Sequence, residues 1–170
     1  MLNQLKALLS EYALMPVTKE NYADLLEVFE TNQDFFLIEE GLTKNKGNAC
    51  AEDIWALAVN CPPHISPSDK FCVGIWKDGK PIAILDYLVE AQIERAYLSL
   101  LIINGDYKRQ QIGVEITNAF IAAARICGYK MIGLGVAKKN TDAQIFWEKL
   151  GFIMFREHDG TMYYNLTWDE

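Results

Sequence analysis

The chain has 170 residues, of which 51% are hydrophobic and 23% are charged, and its formal net charge is -7. This composition predicts a packed globular domain of ordinary size and argues against a disordered chain. The acidic excess also argues against a general nucleic-acid binder, because such proteins depend on a strongly basic surface.

The cysteines and histidines give no metal-site pattern. Four scattered cysteines contain no C-x-x-C pair, and the two histidines are far apart in sequence. We therefore expect no metal, and we expect the cysteines to be small buried side chains in a reducing compartment. The N-terminal residues lack signal-peptide features and no apolar run has membrane-span length, which predicts a cytoplasmic protein without a membrane partner.

The first third of the chain predicts two helices around a strand. Leucines at helical spacing predict a short helix at the N-terminus. Residues 13–17 (ALMPV) predict a strand at a sheet edge, because Pro16 cannot donate to a ladder. Thr18 is predicted to cap a helix that runs to about Glu30.

The next segment is less clear. In residues 33–48, DFFLIEE fits either a strand or a helical turn, and TKNKGN fits a loop. A helix is predicted for residues 52–59, followed by a proline-rich loop at residues 61–69.

The rest of the chain alternates strands and helices. Residues 71–76 and 81–89 predict a hairpin, because the Asp78-Gly79 pair between them suits a tight primed turn. The remaining predicted elements are a strand at 96–103, a helix from Ile112 to about Gly128, a strand at 131–136, a helix capped by Asn140 or Thr141, and a last hairpin across His158-Asp159-Gly160. This order predicts an α/β fold with a mixed sheet and helices on both faces.

The segment YKRQQIGVE, residues 107–115, connects a strand to a helix. The first turn of a helix has N–H groups without intrahelical partners, so such a loop can hold a phosphate, and Lys108 and Arg109 add positive charge. The alternative is a basic helix start on a solvated face. The low glycine content leaves both interpretations open from this segment alone.

Two motifs together resemble the GNAT family of N-acetyltransferases, which use acetyl coenzyme A. The first has the family form Q/R-x-x-G-x-G/A and falls on Lys108, Arg109, Gln110, Gln111, Ile112 and Gly113. The second has the form N-x-x-A-x-x-F/L-Y-x-x-x-G-F and falls on Asn140, Ala143, Phe146, Trp147, Gly151 and Phe152. The resemblance covers about residues 13–168 and is specific only as a combination.

The resemblance implies a mixed, mostly antiparallel GNAT-like sheet and a binding site for coenzyme A. Backbone N–H groups of residues 108–114 would hold the pyrophosphate, and a splayed strand end at residues 101–103 would pair with the pantetheine arm. The residues then expected to bind the coenzyme are Leu101, Ile102, Ile103, Lys108, Arg109, Gln110, Gln111, Ile112, Gly113, Val114, Asn140 and Phe146. Asn140 is also expected to cap the helix that follows.

The sequence departs from the family pattern at several positions. Lys108 replaces the usual Gln or Arg. Gln111 replaces the first glycine, which is accommodated if its φ stays negative and its side chain points outward. Trp147 stands where the family commonly has a tyrosine that can protonate the leaving thiolate; an indole cannot act as that acid, so we favour packing.

The residue that accepts the amine proton is not evident. Tyr97 matches a position where some family members carry a glutamate, and it could relay a proton despite its high ordinary pKa. Asp86 is a second candidate, because an acid in so apolar a strand is unusual. For Asp86 we favour the simpler interpretation, a solvent-face residue of an alternating strand.

The prediction is one acetyltransferase domain over residues 1–170, with a helical extension at 1–12 and a GNAT-like core at 13–168. It would transfer an acetyl group from acetyl coenzyme A to a small-molecule or peptide amine by direct attack in a ternary complex. Glu39, Glu40 and Asp86 hint at a cationic amine. A homodimer is left open.

Two alternatives to this prediction are kept. The first is a non-catalytic protein of the same fold that binds or senses acyl coenzyme A. The second is a different α/β protein with another phosphate ligand.

Overall fold

The structure, a computed structural model, describes residues 1–35 and 50–168. Within these residues, seven strands form one sheet in the order β1-β2-β3-β4-β5-β7-β6. The strands are β1 (Ala13–Pro16), β2 (Lys70–Lys77), β3 (Lys80–Glu90), β4 (Arg95–Ile103), β5 (Met131–Ala137), β6 (Ile153–His158) and β7 (Thr161–Thr167). Neighbouring strands are antiparallel except β4 and β5, which are parallel. The predicted mixed, mostly antiparallel sheet is confirmed.

The helices connect the strands. They are α1 (Leu2–Leu8), α2 (Leu26–Glu30), α3 (Ala51–Val59), α4 (Ile112–Ile126) and α5 (Thr141–Lys149). Short 3-10 turns lie at Tyr22–Leu25, Pro67–Asp69, Ala91–Ile93 and Gly105–Tyr107. In the described residues no helix is long and apolar enough to cross a bilayer.

Both predicted hairpins form with the predicted turn chemistry. Asp78 and Gly79 between β2 and β3 have φ of 51° and 76°, and Asp159 and Gly160 between β6 and β7 have φ of 51° and 77°. Two successive residues with positive φ match the twist of antiparallel strands, which explains why Asp-Gly occurs at both turns.

The helices pack on both faces of the sheet. α1 and α4 pack together over the face that carries Leu85, Leu98 and Leu134. α2 and α3 pack over β2 and β3 on the opposite face, which carries Cys72 and Ile84. We call the sheet face covered by α2 and α3 the α2–α3 face. Tyr97 precedes Leu98 in β4, and because side chains alternate along a strand, Tyr97 lies on the α2–α3 face.

The helix α1 belongs to the main core. Leu5 and Leu9 are 0% and 2% exposed and cluster with core residues of α4 and the sheet. Just after the helix, Tyr12 Oη donates a hydrogen bond to a carboxylate oxygen of Glu115 at 2.6 Å. Burial, together with this bond, raises the pKa of Tyr12 to about 12.

The structure differs from the local predictions at two places. Thr18 does not cap a continuous helix, because its carbonyl accepts from the N–H groups of Asn21 and Tyr22 in a turn. The predicted helix is therefore divided into a 3-10 turn and the short α2. Cys50 and Cys127 are exposed, so the expectation of buried cysteines is correct only for Cys72.

The ambiguous segment at residues 33–48 is described only as far as Phe35. Its other residues, with Glu39 and Glu40, lie outside the described residues.

Candidate functional site

The parallel strands β4 and β5 separate part-way along their length. Their pairing runs from Arg95 opposite Met131 to Leu98 opposite Leu134 and ends there. Beyond that point β4 continues to pair with β3, and β5 continues to pair with β7. The last residues of β4 therefore have one edge without a neighbouring strand, at the predicted splay.

The hydrogen bonds of β4 show which backbone groups lie on this open edge. The N–H of Asn104 donates to Ile82 O at 2.8 Å, so the backbone N–H and C=O groups of residues 102 and 104 face β3. The backbone groups of the alternate residues, 101 and 103, then face the open edge. The carbonyl of Ile103 already accepts from Asn32 Nδ2 at 2.7 Å. This leaves the N–H and C=O of Leu101 and the N–H of Ile103 facing the gap between the strands.

A β-bulge in β4 lies beside this gap. Asp86 of β3 pairs with Leu100, whereas the next residue, Tyr87, pairs with Leu98, so Ser99 is an extra residue on β4. A bulge of this kind bends a strand and redirects its side chains. Ser99 is exposed, and its hydroxyl acts to lower the pKa of the Asp86 carboxyl, against the larger effect of burial.

The loop from β4 to α4 presents backbone N–H groups at the same end of the sheet. The first helical hydrogen bond of α4 runs from Glu115 N–H to Gln111 O at 3.0 Å. The N–H groups of residues 112–114 therefore have no acceptor within the helix. With the positive end of the helix dipole, they form a geometry that can hold a phosphate.

The backbone of this loop corrects one prediction. Arg109 and Gln111 have φ of 62° and 63°, in the left-handed region. The condition stated for position 111, a negative φ, is not met. The positive φ explains why the first motif of the family has glycine at this position, since a residue without Cβ adopts positive φ without strain. In this chain a glutamine is held in that conformation.

Gly113 and Phe146 connect the loop to α5. A Cβ built at Gly113 would lie 3.6 Å from Phe146 Cζ and 3.7 Å from Ile103 Cγ1, which are ordinary contact distances. A close approach to the sheet therefore does not require glycine at position 113. The same distances place Phe146 beside the start of α4 and the end of β4.

Asn140 follows the end of β5 and caps α5. Its side-chain oxygen accepts from the N–H of Ala143 at 3.2 Å. Because the ends of parallel strands meet at one edge of the sheet, Asn140 lies at the same edge as the loop that leaves β4. Its predicted contact with the coenzyme stays a prediction.

Asp86 is not on a solvent face, so the favoured interpretation of this residue is wrong. Its side chain is 1% exposed and forms an ion pair with Lys70, which is also buried and whose Nζ donates to Leu57 O of α3 at 3.0 Å. Burial raises the pKa of Asp86, although the hydrogen bond and charge of Lys70 act in the opposite direction. This enclosed ion pair indicates a structural role, and it leaves the carboxylate poorly placed to contact an amine directly.

Tyr97 lies on β4, on the α2–α3 face, beside the point where β4 and β5 separate. A Cβ built at Gly135 would lie 3.2 Å from its hydroxyl. Burial raises the pKa of Tyr97, and Tyr163 adds to the shift, while Arg95 lowers it. A raised pKa makes the phenolate scarce at neutral pH, so Tyr97 is a weak proton acceptor and a good hydrogen-bond donor.

Trp147 is part of the core. Its ring makes edge contacts with Phe146 and Phe152, with ring centroids 4.8 Å and 5.3 Å apart. Only 8% of the residue is exposed. The geometry supports the favoured packing role and gives no sign of proton donation.

The sequence comparison with protein families decides the membership of this chain. The model of the acetyltransferase (GNAT) family matches residues 33–152, which is well over half of the chain. The chain belongs to the GNAT acetyltransferase family. Membership indicates acyl transfer from coenzyme A. No curated protein matches the chain.

Solved structures of GNAT acetyltransferases have the same fold. An acetyltransferase from Thermus thermophilus is 23% identical with a TM-score of 0.73, over 92% of this chain and 97% of that one. The PaiA N-acetyltransferase from Thermoplasma acidophilum, solved in complex with coenzyme A, is 17% identical with a TM-score of 0.67, over 92% and 99%. The ribosomal-protein-S18-alanine N-acetyltransferase from Escherichia coli is 14% identical with a TM-score of 0.61, over 92% and 93%.

Some residues around the site of this GNAT protein were not found from the sequence. In the sequence, Lys70 is only a polar residue before an apolar strand and Ser99 is only a polar residue within one, so neither stands out. Their importance follows from the ion pair and the bulge, which depend on contacts between strands. Among the described residues there is no group of three or more His, Cys, Asp or Glu side chains that could hold a metal ion.

Proposed function

We propose that this protein transfers an acetyl group from acetyl coenzyme A to an amine by direct attack in a ternary complex. The observation that supports this best is the open edge of β4 next to the start of α4. Backbone groups of Leu101 and Ile103 face a gap between two parallel strands, and unpaired helix N–H groups lie at the end of the same gap. An extended arm with a pyrophosphate at one end fits both features.

Each part of the site has a distinct task in this proposal. The N–H groups of residues 112–114 hold the pyrophosphate, as helix N-termini commonly hold phosphates. The open edge of β4 holds the pantetheine arm by strand-like hydrogen bonds. An N–H on that edge also faces the oxyanion that forms when the amine attacks the thioester. The coenzyme complex of the Thermoplasma acidophilum relative supports coenzyme A as the ligand.

The chemistry depends mainly on positioning. The amine attacks the thioester carbonyl, the C–S bond breaks, and the amine proton passes to water. Asp86 is enclosed in an ion pair and Trp147 is in the core, so neither serves as the acid or the base. Tyr97 donates a hydrogen bond beside the reacting groups. Holding two reactants in the correct orientation supplies a large share of such a rate enhancement.

The proposed function is tested by ligand binding and then by turnover. Coenzyme A at a hundredfold excess over its dissociation constant should stabilise the fold by about 2.7 kcal/mol, measured as a rise in melting temperature. Acetyl coenzyme A with a panel of amines should release free thiol faster than acetyl coenzyme A alone. Failure of coenzyme A to stabilise the protein at any concentration would refute the coenzyme site.

A matched pair of variants tests the helix N-terminus. Gly113→Pro removes one N–H from the first turn of α4, where a proline ring is tolerated better than in a helix interior. Gly113→Ala keeps every N–H, and its Cβ meets neighbours only at ordinary distances. We expect Gly113→Pro to weaken coenzyme binding by about tenfold or more, the value of one charge-assisted hydrogen bond, while Gly113→Ala binds normally.

A non-catalytic protein that binds acyl coenzyme A is the second candidate function. The enclosed Asp86 and the buried Trp147 favour it, because no strong acid or base faces the gap among the described residues. The two candidates share the binding result and differ in turnover. Stabilisation by coenzyme A without thiol release on any amine would decide for the second.

A further inference from the structure

A cavity opens on the α2–α3 face between β4 and the last hairpin. It has a volume of about 310 Å³ and is lined by polar side chains of three strands together with Leu134, Phe155 and Tyr164. We call it the arginine cavity and define it by Arg95, Tyr97, Arg156, Tyr163 and Asn165.

Two glycines of β5 make room for this cavity. Gly133 pairs with Tyr97 on one side and Asn165 on the other, and Gly135 pairs with Tyr163. A Cβ at Gly133 would lie 3.1 Å from the Tyr97 ring and 3.3 Å from Asn165 Oδ1, which is tighter than most real contacts. Because Gly133 and Gly135 have no side chains, this face of β5 forms the bottom of the cavity, and the polar groups of the neighbouring strands lie around it.

Arg156 gives the cavity a positive charge although the whole chain is acidic. The charge of Arg95 is balanced by Glu90, and its guanidinium lies over the Tyr97 ring, with Cζ 5.4 Å from the ring centroid. The sequence has four arginines, and two of them line this one cavity. Arg156 has no ion pair among the described residues. Arg95 Nε donates to Glu90 at 2.5 Å, which leaves the two terminal nitrogens of its guanidinium available. A guanidinium presents paired N–H donors that match a carboxylate or a phosphate.

Neutral hydrogen-bonding groups surround the two arginines. The hydroxyls of Tyr97 and Tyr163 and the carboxamide of Asn165 make no side-chain hydrogen bond to protein groups in the part of the chain that the structure describes. Each therefore has its full bonding capacity toward the contents of the cavity. The guanidinium of Arg156, the terminal N–H groups of Arg95 and these three neutral groups form a site for a small anionic group.

The cavity extends to the point where β4 and β5 separate. The Tyr97 ring belongs to the cavity, and its hydroxyl reaches Gly135, the first residue of β5 beyond the last pair with β4. Arg95 and Leu98 are three residues apart on β4, which corresponds to about 10 Å along the strand. An anionic group at the arginines would thus lie a short molecule's length from the thioester.

We propose that the arginine cavity binds a carboxylate or phosphate of the acceptor, so that the acceptor is a small amine with an anionic group at its other end. This inference rests on the proposed function for the identity of the reacting amine. It differs from the hint of a cationic acceptor given by Glu39, Glu40 and Asp86. Of these, Asp86 is paired with Lys70 and the other two lie outside the described residues.

The test uses matched ligands and does not need turnover. ε-Aminocaproate carries an amine and a carboxylate, and n-hexylamine has a similar length without the anion. Phosphoethanolamine and ethanolamine form the same comparison for a phosphate. Binding is followed through the NMR signals of the arginine Nε–H groups, with and without coenzyme A. We expect only the anionic ligands to shift the signals of Arg95 and Arg156 in a saturable manner. The anionic ligand that binds more tightly shows whether the site prefers a carboxylate or a phosphate.

Variants assign the effect to the cavity. Arg156→Gln should weaken binding of the anionic ligands by about tenfold or more, because it removes charge-assisted hydrogen bonds. Arg125→Gln is the matched control, since Arg125 stacks on Trp168 outside the cavity, with its Cζ 4.7 Å from the ring centroid. Equal weakening by both variants, or equal binding of n-hexylamine and ε-aminocaproate, would overturn the proposal.

Turnover then separates the two proposals. If acetyl transfer occurs, Arg156→Gln should raise KM for the anionic amines far more than KM for n-hexylamine. If the protein binds the anions at the arginines but never releases thiol, the cavity proposal stands and the acetyltransferase proposal is refuted. If the protein acetylates neutral and anionic amines equally well, the acetyltransferase proposal stands and the cavity proposal is refuted.

Discussion

Arg109 and Gln111 lie two positions apart in the loop before α4, and both hold left-handed backbone conformations. A side chain in this region is strained by roughly 1 kcal/mol or more relative to glycine. The loop keeps this strained shape while it places the N–H groups of residues 112–114 at the end of the open edge of β4. For the proposed coenzyme site we therefore expect the conformation of the loop to matter more than its glycine content.

The first prediction concerns position 111. Gln111→Gly should preserve or tighten coenzyme A binding, because glycine adopts the observed φ without strain. Gln111→Val should weaken binding, because a β-branched residue is strongly disfavoured at positive φ. Calorimetric titration with coenzyme A measures both. Weaker binding by the glycine variant would show that the Gln111 side chain contacts the coenzyme.

The second prediction concerns the buried ion pair. Lys70→Met and Asp86→Leu should each destabilise the fold by about 3–5 kcal/mol, because each leaves a buried charge without its partner. The double variant Lys70→Met with Asp86→Leu should recover much of that loss. Urea denaturation gives the three free energies of unfolding, and simple additivity would mean that the two residues do not act as a pair.

The same pair predicts a dependence on pH. Burial already raises the folded-state pKa of Asp86, and loss of Lys70 raises it further. A group with a raised folded-state pKa stabilises the fold below its unfolded pKa and loses that contribution as the pH increases. Lys70→Met should therefore be closest to the wild type in acid and fall behind as the pH rises above about 4, the ordinary value for Asp.

The third prediction concerns the bottom of the arginine cavity beside Tyr97. A Cβ at Gly135 would lie 3.2 Å from the Tyr97 hydroxyl and 3.1 Å from Thr161 Cγ2, so Gly135→Ala should displace Tyr97. We expect a higher KM for the acceptor with an unchanged dissociation constant for coenzyme A. Tyr97→Phe is the companion variant, since it keeps the ring and removes only the hydroxyl. A loss of coenzyme affinity in either variant would contradict this assignment.

The fourth prediction separates packing from chemistry at Trp147. Trp147→Ala should cost about 3–5 kcal/mol of stability through the cavity it leaves among Phe146 and Phe152. Trp147→Phe should cost much less and retain turnover on the folded protein. Thermal denaturation and thiol release are measured on the same samples. A Trp147→Phe variant that is stable but inactive would point to a chemical role for the indole.

Local patterns in the sequence predicted the elements whose geometry is set locally. The Asp78-Gly79 turn, the helix that starts at Ile112 and the cap at Asn140 all follow from short-range preferences. The overall family resemblance also followed from two short motifs at the correct distance. These features were predictable because neighbouring residues alone determine them.

Features that depend on contacts between strands were not predictable. An alternating pattern placed Asp86 on a solvent face, whereas α3 covers that face and Lys70 neutralises the carboxylate. The register shift at Ser99 has no local sequence signature. The meeting of Arg95 and Arg156, which lie far apart in sequence, follows only from the order of β4, β5, β7 and β6.

The packing of α1 sets the limits within which the protein can be shortened. Deleting residues 1–12 would remove Leu5 and Leu9 from the main core and break the bond from Tyr12 to Glu115, a residue of the first turn of α4. The apolar face of α4 would then be exposed to water, close to the loop that carries the unpaired N–H groups. We therefore expect a trimmed protein that starts at Ala13 to be less soluble and to bind coenzyme A more weakly at the proposed site.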